Sequence, residues 1–513
     1  MIKNDENLLE NISESLADEK IQLGYFGIEK ESLRVFNNQI SKSPHKDLLG
    51  SPLCNNFITT DFSDALVEII TPPFSNKNDG YQFLDDLHHY VSINIKKETL
   101  WPFSMPPLVN SEKDIEIAKY GESNQGRFKV LYRNGLSNRY GRIMQSIAGL
   151  HFNYSFSPLF WELPFFHKYG LSTRELKECI YFRTLRNIQR MNWLILYFFG
   201  ASPVVSKNFI DRGLEGFKQI EDAYYIENST SLRMSELGYQ PTSQANLKIS
   251  IDTMDDYIHD LLRATETNSK SFNKLFLGSQ GNNAQINSNI LQIEDEYYSV
   301  ARPKSSSTSY QRLTSKLINY GVDYIELRSL DLNPFCRTGL EKGTVEFLEV
   351  FIALCAFMPS PKISQSELKA IKHNDNIVSM RGREEGLCLR KNDSDILLKD
   401  WANEILYNMR KAANLFFENN LMFKEYEDKI HNPDETLSGK ILSSMRLKKM
   451  GFHELGDSYT NKYKEEYLGI PRAQNKNWLK IENEKKGSIR KQLDIERADS
   501  GSFKKYTENY FQS

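Results

Sequence analysis

Five cysteines in 513 residues (Cys54, Cys179, Cys336, Cys355 and Cys388), odd in number and without CxxC pairing, leave no disulfide framework and no cysteine zinc site. Neither sign of charge dominates: 65 Lys and Arg against 67 Asp and Glu give a net charge of −2, and no basic block marks a nucleic-acid partner. Long apolar runs are also lacking. The most hydrophobic, Trp193–Phe199, is stopped by Gly200 and Pro203, far short of the ~20 residues that cross a bilayer, so no membrane partner is expected. The opening Met1-Ile2-Lys3-Asn4-Asp5-Glu6 is polar and has no signal-peptide core. With reduced-thiol cysteine usage, this points to the cytoplasm. No GxxxxGK[ST], no helix-opening GxGxxG and no HExxH occurs. A nucleotide would have to sit on a sheet through metal-bridged phosphates, not on a helix N-terminus.

What the chain has instead is carboxylates inside strand-like segments: Gly27–Val35 with Glu29 and Glu31, Thr59–Phe62 with Asp61, Ala65–Ile70 with Glu68, and Tyr324–Ser329 with Glu326. A buried unpaired carboxylate is strongly disfavoured. Side chains two apart on a strand share a face, so Glu29 and Glu31 point the same way roughly 7 Å apart, as do Glu326 and Arg328. Such acids are either solvated or ion-paired surface residues, or they are held by cations. An oxygen-rich set suits Mg²⁺ with a phosphate-bearing substrate.

A fourth segment favours the second reading. Gln145–Phe156 alternates cleanly. Ala148, Leu150, Phe152, Tyr154 and Phe156 make a core face, while Gln145, Ile147, Gly149, His151, Asn153 and Ser155 make a small, polar face suited to the floor of a ligand cavity. His151 is there either a hydrogen-bonded structural histidine or a ligand.

The pattern predicts an amphipathic helix over 5–20, a strand over 25–36, a turn and strand over 57–73, and a helix over 81–98. The three prolines of Trp101–Pro107 force an ordered loop. Short and longer helices are expected over 114–121 and 126–138, the polar-faced strand over 145–156, and a helical hairpin over 172–200, with Trp193–Phe199 as the buried end of a core helix that begins near Thr173. Further strands are expected over 285–291 and 322–330, and an apolar helix over 345–357. Residues 360–513 read as mainly helical. Strands separated by helices and long loops, without regular βαβ spacing, argue for an α+β fold with a largely antiparallel sheet covered by helices. Acids drawn from residue 29 and residue 326 argue for one catalytic domain over 1–513, with 360–513 packed on it.

Glu29–Val35, Ile58–Phe62, Trp101-Pro102 with Ser104-Met105-Pro106, Tyr120-Gly121, Gly126–Lys129, Leu131-Tyr132-Arg133, Asn138–Gly141, Gly149–Asn153, Gly200–Pro203, Ser231-Leu232-Arg233, Leu237-Gly238-Tyr239, Gln285–Asn289, Arg302-Pro303-Lys304 and Tyr324–Asp331 resemble, in order and spacing from Gly27 to Phe335, the glutamate–cysteine ligases of the proteobacterial type. The resemblance implies a curved, glutamine-synthetase-like sheet forming a funnel. It implies ATP-dependent joining of the γ-carboxyl of L-glutamate to the amine of L-cysteine through a γ-glutamyl phosphate, the first step of glutathione biosynthesis. It also implies Mg²⁺, or Mn²⁺, held by Glu29, Glu31, Asp61, Glu68, His151 and Glu326. Arg328 and Arg133 are implied as catalytic groups. Arg233, with Gln145 and the Ile147 backbone, is implied for the glutamate α-carboxylate, and Phe62, Tyr132, Leu136, Tyr239 and Tyr298 for the cysteine side chain. Feedback by glutathione is part of the same expectation.

The residue types suit that chemistry. A carboxylate is a poor electrophile until phosphorylated, and phosphoryl transfer needs charge stabilisation and positioning above all. A planar guanidinium such as Arg328 matches phosphate oxygens, or it simply pairs with Glu326. The Ser/Thr-rich stretch 305–319 departs from the pattern and reads as a mobile loop, and nothing like an ATP-grasp domain follows residue 360, so a fused glycine-adding enzyme is not expected. The alternatives are a carboxylate–amine ligase with another acceptor, or an inactive binding relative.

Overall fold

The computed structural model describes residues 2–13, 21–210, 216–238, 244, 247–277, 284–307, 311–416 and 423–512. Its centre is an antiparallel sheet of six strands: β1 (Gly24–Phe36), β2 (Ile58–Thr60), β3 (Leu66–Ile70), β4 (Leu150–Phe156), β5 (Ala301–Lys304) and β6 (Tyr324–Leu330). They lie in the order β5-β6-β4-β1-β3-β2, and the two-residue strands Gln39–Ile40 and Thr99–Leu100 pair with the far end of β1. Asn37 and Asn38 both take positive φ at the tight turn after β1, a conformation asparagine tolerates better than most residues.

Burial separates the two sheet faces with the period of two expected of a strand. Phe26, Ile28, Phe152, Tyr154, Ile325 and Leu327 point to the rear and are almost fully buried. Tyr25, Glu29, Asn153, Ser155, Tyr324 and Arg328, on the other face, are only half-buried. The rear is covered by helices α1 (Lys77–Asn94), α3 (Thr173–Phe199) and α4 (Lys342–Phe357), which pack on one another and on the sheet. Helix α2 (Asn124–Tyr140) belongs to the front. Helix α3 starts at a capping box, Ser172 accepting from the Glu175 N–H while Glu175 accepts from Ser172. One buried apolar cluster runs from Ile2 to Ile481.

Several expectations need correction. The segment 172–200 is one helix rather than a hairpin, because no turn residue interrupts it. Residues 114–121 are not helical: the Asp64 N–H bonds to Glu116 O and the Ala118 N–H to Phe62 O, so this stretch is a strap laid along the 62–64 loop. Residues 285–291 form no regular strand: Asn287 Nδ2 donates to Gln292 O and the Asn289 N–H to Asn287 Oδ1, while the Ile290 and Leu291 N–H groups reach Thr267 O and Ala264 O. Strand β4 starts at Leu150; Met144–Ser146 form a 3₁₀ turn, so Gln145 and Ile147 precede the strand. Within 305–319, residues from Leu313 onward belong to a helix ending at Tyr320. The first helix is Leu8–Ser13, and residues 14–20 lie outside those described. Among the described residues beyond 360 the chain is mainly helical, apart from the hairpin Cys388–Lys391 with Ser394–Leu397. It packs back onto the first part, for example with Phe452 edge-on against Trp101.

Candidate active site

Strand register assembles the acids. Glu29 lies opposite His151 of β4, Glu31 opposite Glu68 of β3, and Glu326 opposite Asn153 of β4. Because alternate residues share a face, all of these side chains come to the front of the sheet. His151 Nδ1 is 3.2 Å from Glu29 Oε2 and 3.5 Å from Glu326 Oε1, and its Nε2 is 3.8 Å from Glu31 Oε1. Glu29, His151 and Glu326 each offer a ligand atom, all within 4.8 Å of one another.

Burial and mutual repulsion set the electrostatics. Burial, followed by repulsion from Glu29, Asp61, Glu31 and Glu326, pushes Glu68 well above the usual carboxylate range. Burial and the neighbouring Asp61 charge push Glu31 up to about 8, although the Gly149 N–H donates to its Oε2 at 2.6 Å. Burial also opposes the charge of Glu326, but Lys304 and Arg328 outweigh it and hold that carboxyl well below its ordinary value. Lys304 Nζ lies 3.2 Å from Glu326 Oε2, and Arg328 NH1 donates to Oε1 at 3.1 Å. In Glu29 the hydrogen bond with His151 and the attractions of His151 and Lys304 overcome burial and the Glu326 charge, and the net shift is downward. Burial and the Arg328 charge depress His151, leaving it a neutral imidazole near pH 7, the form that binds metals.

This donor set fits divalent cations. Several carboxylates and a neutral imidazole converge on one buried face, and two of the acids resist ionisation unless positive charge is added. Oxygen ligands with few nitrogens are the preference of Mg²⁺ and Mn²⁺.

Arg233 sits at one end of this face, 2% exposed. Its Nε donates to Asp331 Oδ1 at 2.6 Å, and its NH2 to the carbonyls of Arg328 and Leu330 at 3.1 and 2.6 Å. A Cβ on Gly149 would stand 3.0 Å from Arg233 NH1 and 3.6 Å from Glu31 Oε2. Glycine therefore lets the guanidinium come up beside the acids. Gln145 Nε2 donates to the Tyr298 hydroxyl at 2.9 Å. Arg133 Nε donates to Asp61 O at 2.5 Å and the guanidinium stacks 4.6 Å over Tyr120, which docks the helix carrying Tyr132 and Leu136 onto the segment of Asp61 and Phe62. Phe62 is 1% exposed and Leu136 8%, while Tyr132 and Tyr298 are half-buried. Tyr239 lies outside the described residues.

Asn153, expected on the polar face of its strand, donates its Nδ2 to Glu29 Oε1 at 2.8 Å. Two contributors escaped the sequence reading. Lys304 faces Glu326, and Asp331 receives Arg233 together with the Ala201 N–H and Ser202 Oγ at 2.7 and 2.6 Å. The Arg-Pro-Lys alternation of β5 was the available signal for Lys304; nothing local marks Asp331.

The family model described as glutamate–cysteine ligase matches residues 9–378. This chain belongs to the glutamate–cysteine ligase family. The glutamate–cysteine ligase of Alcanivorax borkumensis is 38% identical over 501 residues, covering 94% of this chain and 95% of that protein. The enzyme of the same name from Vibrio parahaemolyticus is 37% identical over 498 residues, with 94% and 95% covered. Among solved structures, the Francisella tularensis glutamate–cysteine ligase in complex with AMP superposes with a TM-score of 0.91 at 33% identity, covering 97% of this chain and 99% of that one. A bifunctional glutathione synthetase from Pasteurella multocida shares the fold at a TM-score of 0.68 and 22% identity, with 87% of this chain and 53% of that one covered. Among the described residues no helix is long and apolar enough to cross a membrane.

Proposed function

We infer that this chain joins the γ-carboxyl of L-glutamate to the amine of L-cysteine at the expense of ATP, acting as one catalytic unit in glutathione biosynthesis. The observation that carries the reading is the convergence of Glu29, Glu31, Glu68, His151 and Glu326 on one sheet face, bordered by the positive groups of Arg233, Arg328 and Lys304. Family membership and the AMP held by the Francisella relative support nucleotide use.

Glu29, His151 and Glu326, with Glu31, Glu68 and Asp61 beside them, would hold Mg²⁺ or Mn²⁺. When bound, such ions neutralise charge on ATP and on the acceptor carboxylate. The chain's own residues do the rest. Arg233, clamped by Asp331 and two carbonyls, offers a fixed positive edge to the glutamate α-carboxylate, with Gln145 and the Ile147 backbone beside it. That places the γ-carboxylate toward the acids. Arg328, with Lys304 behind it, meets the transferring phosphoryl group, and Arg133 adds a further positive charge from α2. Attack of a γ-carboxylate oxygen on the terminal phosphorus gives the acyl phosphate and ADP. The cysteine amine, oriented by Phe62, Tyr132, Leu136, Tyr239 and Tyr298, then attacks the carbonyl and expels phosphate. Inhibition by glutathione follows if the product tripeptide occupies the same glutamate and cysteine subsites.

An aromatic pocket distinguishes small side chains by about 1–3 kcal/mol. ADP release with glutamate should be fastest with cysteine, slower with 2-aminobutyrate and poor with ammonia. Equal use of ammonia and cysteine would refute the acceptor assignment, and no release with any amine would favour an inactive relative.

A further inference from the structure

Among the buried ion pairs that the chemistry above does not use, Arg139 with Glu296 lies beside the acceptor residues. Arg139 and Glu296 have fully buried side chains, with NH1 and Oε1 2.9 Å apart. A buried pair is a poor source of stability, because desolvation offsets most of its attraction, so its value lies in what it holds in place. Glu296 Oε1 also accepts from the Tyr140 hydroxyl at 2.7 Å, and Oε2 from the Gln292 N–H at 2.6 Å.

Two routes lead from this carboxylate to the walls of the acceptor pocket. In the first, Gln244 Nε2 donates to the Tyr140 hydroxyl at 3.0 Å and to Glu296 O at 2.9 Å, while its Oε1 accepts the Tyr298 N–H at 3.1 Å. The Tyr140 ring also meets Tyr298 edge-on, with centroids 5.9 Å apart. In the second, Gln292 Nε2 donates to Tyr132 O at 3.3 Å. That approach needs Gly135, where a Cβ would fall 1.9 Å from Gln292 Oε1. Tyr132, Leu136, Arg139 and Tyr140 are spaced along one side of α2, so one helix carries both part of the pocket wall and its brace.

We propose that Glu296, with Arg139 and Tyr140, is the positioning element of the acceptor-amine subsite, fixing Tyr298 and Tyr132 so that the pocket selects among amines by their side chains. The inference rests on the assignment of those two tyrosines to the acceptor subsite. Arg139, Tyr140 and Glu296 act through the tyrosines and need not touch the substrate.

The test uses the full chain and its Tyr140→Phe, Gly135→Ala and Tyr298→Ala variants. ADP release is followed with cysteine or 2-aminobutyrate varied at saturating glutamate and ATP, then with glutamate varied at saturating cysteine. Tyr140→Phe keeps the ion pair and removes one hydroxyl, so it spares folding. Loss of the two hydrogen bonds that this hydroxyl makes, to Glu296 and from Gln244, supports a change of at least about fivefold. The KM for cysteine should rise by about that factor, the preference for cysteine over 2-aminobutyrate should shrink, and the glutamate KM should stay within about twofold. Gly135→Ala, which dislodges Gln292, should shift the same constants. The proposal is overturned if glutamate and acceptor constants rise together, as a purely structural role would have it. It is also overturned if both variants leave the acceptor KM unchanged while Tyr298→Ala raises it. If Tyr298→Ala itself leaves that KM unaltered, the subsite assignment is wrong and the proposal falls with it.

Discussion

Glu31 and Glu68 stand directly opposite each other in the antiparallel ladder between β1 and β3. Like charges across a ladder destabilise a sheet. Burial and then the Asp61 charge push Glu31 up to about 8, and burial with repulsion from Glu29, Asp61 and Glu31 pushes Glu68 well above its ordinary value. The same geometry would offer cations a dense set of oxygens, which is the role proposed for these acids.

A pH dependence follows. The Glu31 carboxyl titrates near 4.5 in the unfolded chain and near 8 in the cation-free fold. The fold therefore holds more protons than the unfolded chain between those values, and stability falls as pH rises through that window. Melting temperatures of wild type and Glu31→Gln, compared without divalent cation, should diverge in that direction, wild type losing ground as pH rises from about 5 to about 8. Added Mg²⁺ should restore wild type more than the variant. A difference that stays constant across pH would contradict the assignment.

The proposal assigns Glu29 to the cation cluster, and its side chain packs little core, being partly exposed beside His151. Glu29→Gln should keep the fold and lose ligase activity by more than the 10–100-fold that loss of an outer-shell metal partner causes. Isothermal titration with Mn²⁺ should show weakened binding at an unchanged melting temperature. Full Mn²⁺ affinity in the variant would remove Glu29 from the ligand set.

Asp331 and Arg233 form one unit, buried and 2.6 Å apart. Arg233→Lys keeps a charge but loses the fork that reaches Asp331 and the carbonyls of β6. Asp331→Asn keeps the shape but drops the charge that fixes the fork. Both variants should raise the glutamate KM, Arg233→Lys by at least about tenfold if one charge-assisted hydrogen bond of 1.5–3 kcal/mol is lost, with the ATP KM little changed. An unaltered glutamate KM in Arg233→Lys would place the glutamate carboxylate elsewhere.

Much of this site was legible in the sequence because strands encode faces. Glu29 with Glu31, His151, and Glu326 with Arg328 share faces by alternation; the opposite faces of β4 and most of β6 are apolar, whereas that of β1 carries Lys30, Ser32 and Arg34 beside Phe26 and Ile28. Alternation failed where side chains bond back to their own backbone. Asn287 and Asn289 mimic a polar strand face but hold an irregular loop. Gln145 and Ile147 read as strand yet lie in a turn and its exit, and Gln145 reaches Tyr298 from there. Partners distant along the chain were out of reach: nothing near Asp331 announces that it will clamp Arg233, 98 residues earlier. The single helix over Thr173–Phe199 has the apolar run Trp193–Phe199 as its buried end, as expected of a core helix beginning near Thr173, and the hairpin reading failed because no turn residue interrupts it.

The most direct test of the central claim follows an oxygen atom. Glutamate labelled with ¹⁸O in its γ-carboxylate is incubated with the protein, ATP, Mg²⁺ and cysteine, and both products are analysed by mass spectrometry. Activation of the γ-carboxyl as an acyl phosphate predicts one ¹⁸O in each released phosphate, matched by formation of γ-glutamylcysteine carrying the other. Phosphate free of label, or ADP released without the dipeptide, would contradict the account.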